Sequence, residues 1–327
     1  MLSDSRKKKL EMLMRSVAQG QLTGGAELLR AHGHSGVNRG PGEELITPIR
    51  PVPLCEACQG IETPIDTSAG AGRYWLIRRR LPEAESTIPP APNPAGPAEP
   101  QVVAEDAPEV PSQPISREYK HVLDGARHNF DELAASPGLC HAANCRAEDL
   151  LFMDIETCGL GSTMIFLVGV MYHDAGGLMC EQYLARDYSE EAAILQAFLN
   201  RYNECRVLVT FNGKSFDMTQ ITERSAFHGL DLPDRPLPHL DLLREARKRW
   251  KGQVPNYKLQ TLERFFCQRH RVGDIPGSAI PDAYHDFVRT QDARRMADIL
   301  HHNALDLLTM AQLLTIALTG CEPTTDD

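Results

Sequence analysis

Two carboxylates separated by a single residue close the apolar run Leu150-Leu151-Phe152-Met153-Asp154-Ile155-Glu156-Thr157. Read as a strand, the run places Asp154 and Glu156 on the face of Leu150 and Phe152, with Leu151, Met153 and Ile155 on the other. Both faces are apolar until the carboxylates begin. Like charges in such a place are costly, because desolvation and mutual repulsion both oppose ionisation. A divalent cation relieves both. The competing reading is a solvated turn opened by Thr157, Gly159 and Gly161, so further carboxylates at suitable places must decide.

Three more acidic positions qualify. Asp217 follows the apolar run Val207-Leu208-Val209-Thr210-Phe211 and the turn Asn212-Gly213-Lys214-Ser215-Phe216, just past a strand end where open α/β sheets place their chemistry. With Gln220 three residues on, it also fits a helix-capping box. Asp241, in Pro238-His239-Leu240-Asp241-Leu242-Leu243, is a ligand candidate or the cap of the next helix. In His301-His302-Asn303-Ala304-Leu305-Asp306 the spacing of His302 and Asp306 puts them one turn apart on one helix face, which also suits an ordinary charged pair.

The elements that must position these groups follow from periodicity. Met164–Tyr172 and Leu178–Leu184 flank His173-Asp174-Ala175-Gly176-Gly177 and predict a hairpin that extends the Asp154 sheet. Ser189-Glu190-Glu191 predicts a capped helix to about residue 202, and 207–211 a buried strand. Helices are expected over roughly 217–228, 241–250, 258–267, 281–290 and 293–318, the last with Met296, Ile299, Leu300, Leu307, Ala311 and Leu314 as its buried stripe. Upstream, Tyr119, Val122, Leu123, Ala126, Phe130 and Leu133 recur as a helix face that Pro137-Gly138 closes. Residues 83–116, rich in Pro, Ala and Glu, read as a flexible, disordered linker. Residues 4–18 form an amphipathic pattern suited to a partner, and short extended runs such as Tyr74-Trp75-Leu76-Ile77 give 1–82 the look of a small separate region.

With 42% hydrophobic and 24% charged residues in 327, the chain can bury a substantial core. A formal charge of −10 argues against bulk electrostatic coating of nucleic acid but not against a metal-neutralised nuclease. Locally, Arg244, Arg247, Lys248, Arg249 and Lys251 form one basic cluster and Arg264, Arg269, His270 and Arg271 another, suited to phosphates or to solvated helix faces. The longest apolar run, Met164–Tyr172, cannot span a bilayer, and no export signal is apparent. Nine cysteines then read as reduced thiols in a cytoplasm. A four-thiolate zinc site from Cys55, Cys58, Cys140 and Cys145 can be drawn, with spacing that suits zinc modules poorly.

The order of these groups resembles the DEDD exonucleases of the ribonuclease H-like superfamily. It is similar more closely to the YprB-like ribonuclease H-like family, through Asp154-Ile155-Glu156-Thr157 with Gly159-Leu160, Phe166-Leu167-Val168-Gly169, Thr210–Asp217, His239-Leu240-Asp241-Leu242-Leu243, Asp274-Ile275-Pro276-Gly277 with Ile280-Pro281, and His302-Asn303 with Asp306-Leu307-Leu308. The resemblance covers about 117–318 and implies an α/β ribonuclease H-like fold, a central mixed sheet flanked by helices, over 117–320. It implies that Asp154, Glu156, Asp217 and Asp306 bind two Mg²⁺ or Mn²⁺ ions for 3′–5′ exonucleolytic hydrolysis of DNA or RNA. A His ahead of the last Asp orients or deprotonates the water. His302 has the preferred match, through Asn303, while His301 sits at the usual His-type offset. Asn212 and Lys214 are candidate substrate contacts, with Asp241 an accessory or structural group. The loop after Glu156 is short for the family. A binding or scaffold module without turnover, and a structure-selective endonuclease, are the alternatives.

Overall fold

The computed structural model describes residues 50–68, 70–81, 115–126, 136–159, 161–233 and 236–319. A short helix α1 (Leu54–Ala57) precedes strands β1 (Ile61–Thr67) and β2 (Gly70–Arg80); helices α2 (Ile115–Ala126) and α3 (Pro137–Ala143) lead into β3 (Leu150–Thr157). Then come β4 (Ile165–Asp174), β5 (Gly177–Leu184), α4 (Glu191–Asn203), β6 (Val207–Thr210), α5 (Asp217–Phe227) and β7 (His239–Asp241). Helices α6 (Leu242–Arg249), α7 (Leu259–Cys267), α8 (Ile280–Thr290) and the long α9 (Arg294–Thr319) follow.

The strands form one mixed sheet of seven, in the order β1-β2-β5-β4-β3-β6-β7. Pairing is antiparallel from β1 through β3 and parallel for β3/β6 and β6/β7. Strand β3 is buried on both faces, as its apolar composition requires. Leu151, Met153 and Ile155 pack into one cluster with Ile194, Phe198, Tyr284 and Ile299, and Leu150 and Phe152 into a second with Tyr119, Leu123, Leu305 and Leu308. Helix α9 feeds both clusters, and His302 and Asn303 fall where it passes from one to the other.

Several expectations change. The run around Tyr74 does not stand apart, because β2 hydrogen-bonds along β5 from Trp75↔Leu184 to Arg80↔Met179 and so widens the sheet that carries Asp154. Pro137-Gly138 opens a helix instead of closing one: Ser136 accepts from the Leu139 amide at 3.2 Å, and proline at the first helical position lacks only an amide hydrogen that would have no partner. Gly138 also lets α3 approach β7, since a Cβ there would lie 3.2 Å from the Leu240 Cα. The linker expectation loses its last two residues, because Ile115 and Ser116 are buried in the first turn of α2. Ser189 does not cap α4; it donates to Asp187, while Glu191 turns inward to accept from the Ile165 amide and Arg224 Nε, each at 2.8 Å. Strand β7, three residues long, is too short to show a period in the sequence, which predicts only the helix that follows it. The helix expected over 4–18, Phe130, Leu133 and the linker from 83 to 114 lie outside the described residues.

The zinc drawing also fails. Cys58 packs in the first cluster and Cys145 in the second, and Cys55 is exposed, so the four sulfurs are not gathered. Among the described residues, no helix is long and apolar enough to cross a membrane.

Candidate active site

Asp154 and Glu156 leave β3 on the face of Leu150 and Phe152, as strand alternation requires, and both are half-buried. Burial is the largest cause raising the pKa of Asp154, followed by the charges of Asp306, Glu156 and Asp217; the Asn303 hydrogen bond opposes it. Glu156 is pushed up to about 8, first by burial, with His302 pulling it down and Asp306 and Asp217 pushing it up. Asp217 is 5% exposed and pushed up to about 7 by burial, although its carboxylate accepts from its own amide and that of Ile155. The bond from the Ile155 amide ties the start of α5 to β3. The capping-box reading fails, since Phe216 is the N-cap and makes no side-chain cap bond. Asp306 arrives from α9 and is raised by burial, against Arg271 and His302. Strand, strand end and late helix thus bring the four carboxylates of Asp154, Glu156, Asp217 and Asp306 within electrostatic reach of one another.

Asp154, Asp306 and His302 are held from behind. Asn303 Nδ2 donates to Asp154 Oδ2 at 2.9 Å, and Gln182 Nε2 donates at 2.8 Å to both Asn303 Oδ1 and the Leu300 carbonyl. Arg271, whose side chain is 6% exposed, donates to Asp306 Oδ1 at 2.5 Å, to Glu263 at 2.6 Å and to Asp274 at 3.2 Å. His302 Nδ1 is 2.8 Å from Asp274 Oδ1, and Nε2 is 3.5 Å from Asp306 Oδ2. Burial lowers the His302 pKa, but the Asp274 bond and the charges of Asp306 and Glu156 outweigh it and raise it overall. Asp274 in turn is held below its ordinary value: His302 and Arg271 overcome the opposing effect of burial.

A model of the RNase_H superfamily matches residues 151–318, the span that contains all four carboxylates. The chain belongs to the RNase_H superfamily. Over 185 residues it is 34% identical to the uncharacterized protein YprB of Bacillus subtilis (strain 168), covering 54% of this chain and 44% of that one. The expected resemblance to YprB-like proteins is therefore shown, with this chain spanning under half the length of that relative. Among solved structures, the family B DNA polymerase of the hyperthermophilic archaeon Pyrobaculum calidifontis is similar at 17% identity and a TM-score of 0.42, over 50% of this chain and 24% of that one.

Within this RNase_H superfamily domain the remaining sequence candidates separate. Between the two histidines, only His302 stands among the carboxylates; His301 has its Nδ1 buried without a hydrogen-bond partner, and burial lowers its pKa. Asp241, expected as a ligand candidate, a helix cap or an accessory or structural group, is 3% exposed and accepts from the amides of Asn212 at 2.9 Å, Lys214 at 3.3 Å and Leu243 at 3.1 Å, so it is a brace and a helix cap. Asn212, in the left-handed region at φ 66°, and Lys214 are exposed on the loop that Asp241 braces. In the sequence, Glu263 and Gln182 carry no signal of a role, and Arg271 belongs to a basic cluster suited to phosphates or a solvated helix face. Asp274-Ile275-Pro276-Gly277 was noticed only as a motif, and nothing local tells that a loop aspartate meets a helix histidine 28 positions on.

The donor set suits a hard divalent cation: four carboxylates whose mutual repulsion only partly meets positive charge from Arg271 and His302. Among the described residues no three His, Cys, Asp or Glu side chains are gathered tightly enough to cage an ion as they stand. One oxygen of Asp306 faces Arg271 and one of Asp154 faces Asn303. The fit therefore rests on donor type and charge excess.

Proposed function

We propose that this domain hydrolyses phosphodiester bonds of DNA or RNA from the 3′ end, in a reaction dependent on two Mg²⁺ or Mn²⁺ ions. The observation that carries the reading is the convergence of Asp154, Glu156, Asp217 and Asp306, where desolvation raises all four pKa values and the charge of Asp306 raises those of the other three. These four would hold the ions, which when bound supply Lewis acidity toward the phosphate oxygens and acidify water. His302 is the proton acceptor. As the water oxygen bonds to phosphorus and the bond from phosphorus to the 3′ oxygen of the preceding nucleotide breaks, the water proton passes to Nε2.

Asp274 is the orienting partner on Nδ1, so that Nε2 faces the carboxylates. Arg271 fixes one oxygen of Asp306 and Asn303 one oxygen of Asp154. The 3′–5′ sense comes from the resemblance to DEDD enzymes and is part of the proposal. Its test is digestion of 5′-labelled single-stranded DNA and RNA with Mg²⁺, Mn²⁺ or EDTA, beside Asp154→Asn and Asp306→Asn. A metal-dependent ladder shortening from the 3′ end, absent in both variants, supports it. Cleavage of a circular substrate points to an endonuclease, and binding without cleavage under any metal to a scaffold.

A further inference from the structure

The two basic clusters of the sequence meet different fates in the fold. In the second, Arg269 and Arg271 are turned inward, onto Glu263, Thr309 and Gln312 and onto Glu263, Asp274 and Asp306 respectively. In the first, helix α6 buries Leu242, Leu243, Glu245 and Ala246, and Trp250 behind it packs on Phe266 with ring centroids 4.1 Å apart and planes tilted by 30°. Arg244, Arg247 and Lys248 are left together on the exposed face, with Lys251 exposed in the following turn.

The sign of this face is unusual for the chain. The protein carries a formal charge of −10, yet the single carboxylate within α6, Glu245, points into the core. Helix α8 shows the ordinary alternative, with exposed Asp282 and Asp286 interspersed and Arg289 paired to Asp286 at 2.8 Å. The α6 face is also tied to the carboxylate centre. Arg244 Nε lies 3.9 Å from Asp241 Oδ2, and Asp241 holds the amides of Asn212 and Lys214 in the loop that ends at Asp217. Lys214 and Arg244 both act on His239, whose pKa is pushed down to about 4 by burial and then by their charges. Lys214, on the loop that ends at Asp217, and Arg244, on the first turn of α6, thus both lie beside Asp241 and His239.

We infer that Lys214, Arg244, Arg247 and Lys248 form a track for the phosphodiester backbone of the substrate strand beyond the scissile bond. The inference rests on the phosphodiesterase reading and adds where the strand lies. Successive helical turns present cations about 5.4 Å apart, which lets one extended strand meet several of them in register.

The test is the salt dependence of binding, in EDTA so that nothing is cleaved. Anisotropy of 5′-fluorescein oligo-dT and oligo-rU is followed on the full chain from about 50 to about 200 mM salt. The variant Arg244→Gln/Arg247→Gln/Lys248→Gln is expected to lower the slope of log K against log salt by about 2, at about 0.7 per lost single-strand phosphate contact. Arg244→Lys/Arg247→Lys should keep the slope, and Arg289→Gln, on another face, should not change it. Circular dichroism melts on all of them check folding. An unchanged slope in the triple glutamine variant, with a wild type that binds and cleaves, overturns the track and leaves the nuclease reading standing. A wild type that neither binds nor cleaves removes both.

Discussion

The carboxamide of Asn303 occupies the space that a side chain at Gly169 would need. Across the sheet Asp154 pairs with Gly169 and Gly169 with Gln182, and Asn303 descends from α9 onto that row, bonded to the residues on either side. A Cβ on Gly169 would collide with Asn303 Oδ1. The glycine is what allows a helix amide to sit on a strand and aim a carboxylate.

Gly169→Ala should therefore destabilise the protein by about 1–3 kcal/mol through overpacking. Asn303→Ala should cost about 1–3 kcal/mol by stranding the Gln182 amide and the Asp154 carboxylate. Because the first penalty is a clash with the group the second removes, the double variant should cost less than the sum. Urea denaturation of the four proteins checks this, and strict additivity would contradict the packing described.

Arg271 is surrounded by Glu263, Asp274 and Asp306, with its own side chain 6% exposed and that of Glu263 1%. Arg271→Met should cost about 3–5 kcal/mol, because three inward carboxylates lose their shared cation. Pairing it with Glu263→Gln should recover part of the loss. Denaturant midpoints give both figures, and a loss below about 1 kcal/mol would mean the network is surface-like.

Metal-free stability should fall as pH rises from about 5 to about 8. Glu156 and Asp217 have folded pKa values of about 8 and about 7, and those of Asp154 and Asp306 are also raised, whereas the unfolded carboxyls titrate near 4. The folded state thus holds more protons over this window, so its advantage is complete below the unfolded values and is lost as pH climbs through the folded ones. Asp154→Asn should raise the metal-free Tm at pH 8 and leave it nearly unchanged at pH 5. Mg²⁺ at about a hundred times its Kd should return about 2.7 kcal/mol, more clearly at the higher pH. A metal-free Tm that is flat across this range would contradict the charge crowding.

His302→Gln should slow metal-dependent cleavage by about 100- to 10,000-fold, the range for a positioned proton acceptor. Asp274→Asn, which weakens the bonds to the imidazole and to Arg271, should cost about 10- to 100-fold. His301→Gln should leave the rate within a few-fold. Single-turnover rates with saturating enzyme separate these from binding, and a larger loss at His301 than at His302 would reverse the assignment.

Much of this was legible in the sequence because it is local. An apolar run ending in Asp-X-Glu forces the strand and its facing; the 3.6-residue stripe from Met296 to Leu314 forces a long helix; and residues four apart on that helix must share a face, which joins His302 to Asp306. What only the tertiary structure decided is which distant groups face each other. Arg269 and Arg271 look, in sequence, no less like phosphate ligands than Arg244 and Arg247, yet one pair is enclosed by Glu263, Asp274 and Asp306 and the other stands in solvent. Asp217 and Asp241 both read as helix caps, and only Asp241 is one; Asp217 is drawn to β3 by the Ile155 amide. Periodicity reports the environment of a face averaged along one element, whereas charge pairing across loops depends on how separate elements dock, and that docking has no local signature.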